Sequence, residues 1–210
     1  MTQVLEALKW RYATKKFNPN NKLSFEKINT LKKAFNLTAT SFGLQPVRLV
    51  VLNDKTIQEK LVAASMGQRQ VADASHLLIL CIEKNVGKVY VENYFDRVKD
   101  IRSTPEEVLK PFKNYLLDHF TTTSEQEKQL WAAKQAYLVM GNLLTVCALE
   151  GIDACPMEGF VPSEYNDILG LAEKGIEAVL VLPVGYRAED DMFSDFKKVR
   201  KPLENSVIDM

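Results

Sequence analysis

Ala136-Tyr137-Leu138-Val139-Met140-Gly141-Asn142-Leu143-Leu144-Thr145-Val146-Cys147-Ala148-Leu149 is apolar almost all the way round a helix, broken only by Gly141, Asn142 and Thr145. It is the second half of the longest helical stretch in the chain, Glu125 to Glu150. A helix apolar on every side must be covered on every side. In a chain of 210 residues two arrangements meet that demand. One has core on one flank and a second subunit on the other; the other has a central helix wrapped entirely by its own chain. The pattern alone leaves both open.

Outward from that helix, two apolar runs read as buried strands, Leu77-Leu78-Ile79-Leu80-Cys81-Ile82 and Ala178-Val179-Leu180-Val181-Leu182. Each is too short for most helices and continuous enough to be covered on both faces. Val47-Arg48-Leu49-Val50-Val51-Leu52, released by Gln45-Pro46, is a third strand, and Asp153-Ala154-Cys155-Pro156 is extended. Helices are expected over 2–12, after an N-cap at Ser24 with Ile28, Leu31 and Phe35 inward, and over 55–65. Further helices, joined by Pro-containing turns, are expected over 88–128, and Ser163 is expected to cap a short helix. The last twenty residues lack periodicity and read as an extended tail. Helices alternating with a few apolar strands give a layered α/β or α+β fold.

The bulk numbers exclude several functions. Twenty-seven basic residues balance twenty-seven acidic ones, so no field favours nucleic acid. The N-terminus lacks the basic start and apolar run of a signal peptide, and no stretch reads as a membrane span. Cys81, Cys147 and Cys155 have no C-x-x-C spacing, which suggests reduced core thiols and a cytoplasmic location. With two histidines, His76 and His119, far apart, no metal centre is expected. His76 opens a strand and reads as a hydrogen-bonded structural residue. No G-x-S-x-G, H-E-x-x-H, P-loop or G-x-G-x-x-G is present. A nicotinamide cofactor, if used, would visit a site built for something else.

What remains is a set of small clusters: Arg11-Tyr12-Ala13-Thr14-Lys15, Pro156-Met157-Glu158-Gly159-Phe160, and Lys197-Lys198-Val199-Arg200-Lys201-Pro202. Singly, each is what a solvated face or a turn would show. In order, together with Ala7 to Lys9, Thr40-Ser41-Phe42-Gly43-Leu44-Gln45-Pro46, Asp73-Ala74-Ser75-His76, Ala133 to Tyr137, Gly141-Asn142, Gly151 to Pro156 and Pro183-Val184-Gly185-Tyr186, they resemble the FMN-dependent nitroreductases. These include the oxygen-insensitive NAD(P)H nitroreductases and the flavin or quinone reductases.

The resemblance implies one α+β domain over 1–210, with a central mixed sheet flanked by helices. It also implies an interlocked homodimer with an extended C-terminal tail and flavin at the subunit interface. Arg11, Lys198 and Arg200 would hold the FMN phosphate, since guanidinium groups match phosphate oxygens bidentately and ammonium adds a point charge. Tyr12 and Ala13 would lie beside them, and Lys15 at the pyrimidine edge of the ring would tune it electrostatically. Pro156, Met157, Glu158 and Gly159 would lie near the ring's N5, Gly159 letting the backbone approach closely. Thr40, Ser41 and Gly43 would reach the flavin of the other subunit, and Gln68 or Gln70 its uracil-like edge. Phe42, Phe112 and Tyr115 are candidates for the substrate wall. Ala13 stands where the family commonly has serine, and Gly43 where asparagine is frequent.

The resemblance further implies NAD(P)H as a transient co-substrate and a small planar acceptor such as a nitroaromatic or quinone, in a ping-pong cycle. The flavin does the chemistry, so no protein side chain need be catalytic. Two rivals remain. One is a diverged flavoprotein of the same fold, performing ene reduction, dehalogenation or flavin destruction. The other is a flavin-binding dimer without turnover.

Overall fold

A computed structural model describes residues 2–210. The element order is α1 (Gln3–Trp10), α2 (Phe25–Asn36), β1 (Val47–Leu52), α3 (Lys55–Lys60), α4 (Gln70–Asp73), β2 (His76–Glu83), α5 (Lys88–Arg102), α6 (Glu106–Thr122), α7 (Glu125–Leu149), β3 (Asp153–Ala154), α8 (Pro162–Leu169) and β4 (Ile176–Gly185). The four strands lie in the order β1-β2-β4-β3, and each neighbouring pair is antiparallel. The parallel contribution is a single bridge from Ala13 to Ala154.

Both faces of this sheet are covered, which explains why β2 is continuously apolar. Leu78, Leu80, Leu180, Leu182 and Val184 turn toward Ala132, Ala136, Val139, Met140, Leu143 and Cys147 of α7, with Ile28 and Leu31 of α2 joining them. The alternate residues Leu77, Ile79, Cys81, Ala178 and Val181 pack on Leu61, Val71, Tyr165 and Phe160 on the other face. The α5–α6 hairpin carries a small core of its own, with Val91, Phe95, Leu116 and Phe120 closing on Leu44. The three cysteines are buried and unpaired, and burial pushes the thiols of Cys81 and Cys147 up to about 12.

The chain covers only one flank of α7. Leu130, Tyr137 and Leu138 remain 57%, 49% and 56% exposed, so the reading of a helix wrapped by its own chain fails. By length and composition α7 could cross a membrane, but its other flank is the center of the sheet's core. Helix α1 has no buried residue and exposes Val4, Leu5 and Leu8.

Local differences from expectation have local causes. Ser163 does not cap α8: Pro162, which lacks an N–H to satisfy, takes the first helical position, and Val161 is the cap. The helix expected over 55–65 stops at Lys60, and a separate 3-10 turn covers Ala63–Ser65. Pro111 sits inside α6 and not in a connecting turn, in the second turn, where most of the ladder lies beyond it. The tail forms short turns at Met192–Asp195 and Leu203–Asn205.

At the start of α7, Ser124 accepts from Glu127 N while the Glu127 carboxylate accepts from Ser124 N at 3.0 Å, a complete capping box. Ser124→Ala should lower stability by about 1 kcal/mol, measured by urea unfolding with an unchanged m-value.

Candidate functional site

Helix α1 ends where Arg11 turns extended, its N–H still bonded to Ala7 O. The following segment is laid against the sheet end: Thr14 N donates to Ala154 O at 3.3 Å, Asn18 N to Tyr186 O at 2.8 Å, and Ala188 N to Lys16 O at 2.9 Å. One carboxylate organises its outer side. Asp191 Oδ2 accepts from Tyr12 Oη at 2.8 Å, Lys15 N at 2.9 Å and Lys16 N at 3.1 Å, and Oδ1 accepts from Phe193 N at 3.2 Å. Burial pushes its carboxyl up, but these donors outweigh burial and hold it below the ordinary range. The Tyr12 phenol is raised well above its usual value by burial and by this acceptor. Arg187 lies over the rings of Trp10 and Tyr12, 4.5 and 4.6 Å from their centroids. Its Nε donates to the buried Asp153 at 2.8 Å.

Beside this loop the two ends of the chain meet. Burial and then the nearby Arg200 lower the Arg11 guanidinium. Burial, Arg11, Arg200 and Arg187 in that order lower the Lys198 ammonium. Lys198 donates to Lys9 O and Arg200 to Val199 O, each at 2.7 Å. Among the described residues no ion pair reaches Arg11, Lys198 or Arg200. The result is a knot of cations with no carboxylate in it.

Next along the surface is the segment after β3. Met157 pairs with Val181 through bonds of 2.8 and 3.1 Å, which presents Pro156, Glu158 and Gly159 outward. Glu158 accepts from Tyr137 Oη of α7 at 2.8 Å, and Gln68 Nε2 donates to Gly159 O at 2.9 Å. A side chain at 159 would place Cβ 3.0 Å from Gln68 Nε2, so glycine lets that bond form. Tyr137, Met140, Pro156, Met157, Glu158 and Leu180 line an open cavity of about 430 Å³. Gln68 therefore stands at this strip, whereas Gln70 is buried on α4. Arg11 and Lys15 both act on Cys155 at the root of the strip.

The loop 40–45 lies elsewhere. Ser41 N donates to Gln135 of α7 at 2.8 Å. Gln135 and Tyr137 are two residues apart and so point to opposite flanks of the helix. Thr40, Ser41 and Gly43 thus stand on the far side of α7 from this chain's own 156–159 strip. Phe42 is surrounded by Phe112, His119, Phe120 and Trp131 at centroid distances of 6.0 to 6.4 Å. Phe112, Tyr115 and His119 stack along the surface of α6, and with Phe112 42% and Tyr115 55% exposed, neither is plain core.

The nitroreductase family model matches residues 8–186. The chain belongs to the nitroreductase family. It is 33% identical over 214 residues to Putative NAD(P)H nitroreductase SH0546 of Staphylococcus haemolyticus, covering 97% of this chain and 95% of that one. Among solved structures, the putative nitroreductase ydfN of Bacillus subtilis superposes with a TM-score of 0.87 at 22% identity over 98% of both chains. A putative nitroreductase from Exiguobacterium sibiricum, solved in complex with FMN, gives 0.84 at 18% identity, covering 100% of this chain and 98% of that one. These neighbours share the nitroreductase fold of the chain.

Sequence reasoning missed Asp191, Arg187 and Gln135. Asp191 is one acid in the run Glu189-Asp190-Asp191, and only the fold distinguishes it from its neighbours. Asp191→Asn should weaken the anchoring of the loop and lower stability by about 1–3 kcal/mol at pH 7. Because folding lowers this carboxyl's pKa, its contribution is present above the ordinary Asp range and lost as pH falls through the lowered value. The gap between the two proteins should therefore close in acid, as followed by denaturation at several pH values.

Proposed function

We propose that this nitroreductase-family chain is an FMN-dependent NAD(P)H oxidoreductase, a homodimer that reduces nitroaromatics, quinones or similar flat acceptors. The observation that carries the reading is the convergence of Arg11, Lys198 and Arg200, drawn from opposite ends of the chain and unpaired with any carboxylate. Such a donor set suits a phosphate dianion, with forked guanidinium donors and a mobile ammonium. The neighbouring surface suits a ring. Lys15 is fixed through its backbone by Asp191, and Gly159, lacking a side chain, lets Gln68 close on the strip.

FMN, when bound there, supplies the hydride chemistry between the nicotinamide and the acceptor. The protein's part is binding and orientation. Arg11, Lys198 and Arg200 hold the phosphate; Lys15 places a cation at the pyrimidine edge, where negative charge develops on reduction. Gly159 offers its backbone N–H, and the Tyr137–Glu158 bond stiffens the strip. The open cavity beside it admits the nicotinamide and the acceptor in turn, the basis of a ping-pong cycle.

Two observations support the dimer. The apolar flank of α7 and the apolar face of α1 are uncovered. Loop 40–45 lies on the wrong side of α7 to serve its own chain, so Thr40, Ser41 and Gly43 would complete the partner's site, with Phe42, Phe112 and Tyr115 shaping the acceptor's wall. A second reading, reduction of an activated double bond, draws on the likeness to the enone reductase CLA-ER, with a TM-score of 0.83 at 18% identity. The same assay tests it with an enone as acceptor.

The purified protein should be yellow, bleach with NADH or NADPH, and recover its color with menadione or nitrofurazone. A colorless protein that takes up no FMN overturns the proposal, and one that binds FMN without bleaching is a binder only. Arg200→Ala should weaken FMN retention by roughly tenfold or more, read by equilibrium dialysis. Leu138→Glu places a charge on the uncovered flank of α7. It should yield a monomer by light scattering and lose FMN together with the dimer; a dimer that persists would remove α7 from the interface.

A further inference from the structure

Away from the flavin cleft, the segment before α2, the start of α3 and the start of β2 enclose a second cavity, of about 500 Å³. Lys22, Lys32, Lys55 and His76 line it. The Lys22 ammonium lies close to that of Lys55, and burial first and then this like charge lower Lys55 to about 8. Lys55 also donates to Ala72 O at 2.7 Å and Ala74 O at 2.5 Å. Among the described residues no ion pair reaches Lys22, Lys32 or Lys55. The one carboxylate that bears on Lys55 is Asp73, and Arg69 holds it at 3.1 Å. Two ammonium groups side by side repel unless an anion is placed between them.

His76 provides the remaining polar surface. Ser75 Oγ accepts from Leu23 N at 2.8 Å and lies 2.9 Å from His76 Nδ1. In the arrangement where the Ser75 hydroxyl donates to Nδ1, the neutral ring carries its proton on Nε2 and that atom is a donor. Burial, then Lys22, Lys55 and Lys32, hold the imidazole below its ordinary pKa. Leu23, Phe25, Ile28 and Val51 supply apolar wall. The volume exceeds what an inorganic ion needs and falls within the range of about 300–1,000 Å³ usual for organic ligands.

We propose that this cavity binds a small organic anion, its carboxylate or phosphate head between Lys22, Lys55 and His76 and its short aliphatic body against Leu23, Ile28 and Val51. None of these residues belongs to the flavin cleft, so the site is independent of the reading above. The bound head group replaces repulsion between the lysines with attraction and accepts from the imidazole.

The chain has two histidines, so imidazole NMR reads the site directly, with His119 on α6 as internal control. Hexanoate, hexyl phosphate, acetate, inorganic phosphate and hexanol are titrated into the full-length protein. Hexanoate or hexyl phosphate should raise the pKa of His76, leave His119 unmoved, and bind at least tenfold more tightly than acetate or inorganic phosphate. The tighter of the two identifies the head group. Lys22→Gln with Lys32→Gln should weaken binding tenfold or more while His119 keeps its spectrum; Lys22→Gln alone gives the same reading should the double variant fail to fold. The proposal is overturned if hexanol binds as well as hexanoate, if the headgroup ions alone bind as well as the hexyl compounds, if both histidines shift together, or if the lysine variants bind unchanged.

Discussion

Cations repel, and a protein that gathers three of them from residues 11, 198 and 200 must hold them there by other means. The holding contacts are backbone contacts and the carboxylates of Asp191 and Asp190. Asp191 takes the amides of Lys15 and Lys16, the phenol of Tyr12 and the amide of Phe193, and with the Ala188 N–Lys16 O bond and the Lys16–Asp190 pair it fastens the segment after α1 to the start of the tail. From that point the tail runs a few residues to Lys198, which closes on the last turn of α1 through Lys9 O. Without this fastening, repulsion between Arg11 and Arg200 would separate the termini. The basic knot is therefore a strained arrangement imposed by the fold, and an anion in it would relieve the repulsion.

The second organising feature is the division of α7. One flank supplies the floor of the sheet's core, and the other carries Tyr137 and Leu138 outward, Tyr137 lining the cavity beside Pro156 and Glu158. The same helix that stabilises the monomer therefore forms one wall of the site. The Tyr137–Glu158 bond joins that wall to the strip after β3, so displacement of α7 would move the strip with it. Burying the exposed flank against a second copy would exclude water from the cavity mouth and couple assembly to cofactor retention.

Much of this was legible in the residues, and the failures have physical causes. The strand over Leu77–Ile82 was readable because both faces of the sheet are covered and its apolar run has no gap. Ser163 misled because cap preference favours serine, while Pro162 before it satisfies the first helical position more cheaply. The clusters at 11–15, 156–159 and 198–200 stood out as motifs, and the fold places them in one region. Asp191 and Arg187 did not stand out, because a charged residue in a charged run has no local signature; their roles depend on partners more than 30 residues away. The loop 40–45 was visible as a motif, but its place across α7 from the strip depends on which face of the helix Gln135 occupies.

That loop carries the remaining strain in the region. Phe42, Gly43 and Gln45 all adopt positive φ, at 59°, 72° and 49°, and two of the three are not glycine. At Phe42 and Gln45 such conformations cost on the order of 1–3 kcal/mol each and persist only where surrounding bonds dictate them. Here Gln45 N donates to Thr40 Oγ1 at 3.0 Å, Gln45 Nε2 to Asn36 O at 2.9 Å, and Tyr90 Oη lies at 2.9 and 2.8 Å from Leu44 O and Gln45 O. Tyr94 crowds Gly43 so closely that a Cβ there would meet its hydroxyl at 3.0 Å, which with the positive φ favours glycine at this position. A loop braced on so many sides and bent against its own preferences cannot adapt to a ligand. It presents one fixed surface beside Gln135, on the flank of α7 opposite Tyr137.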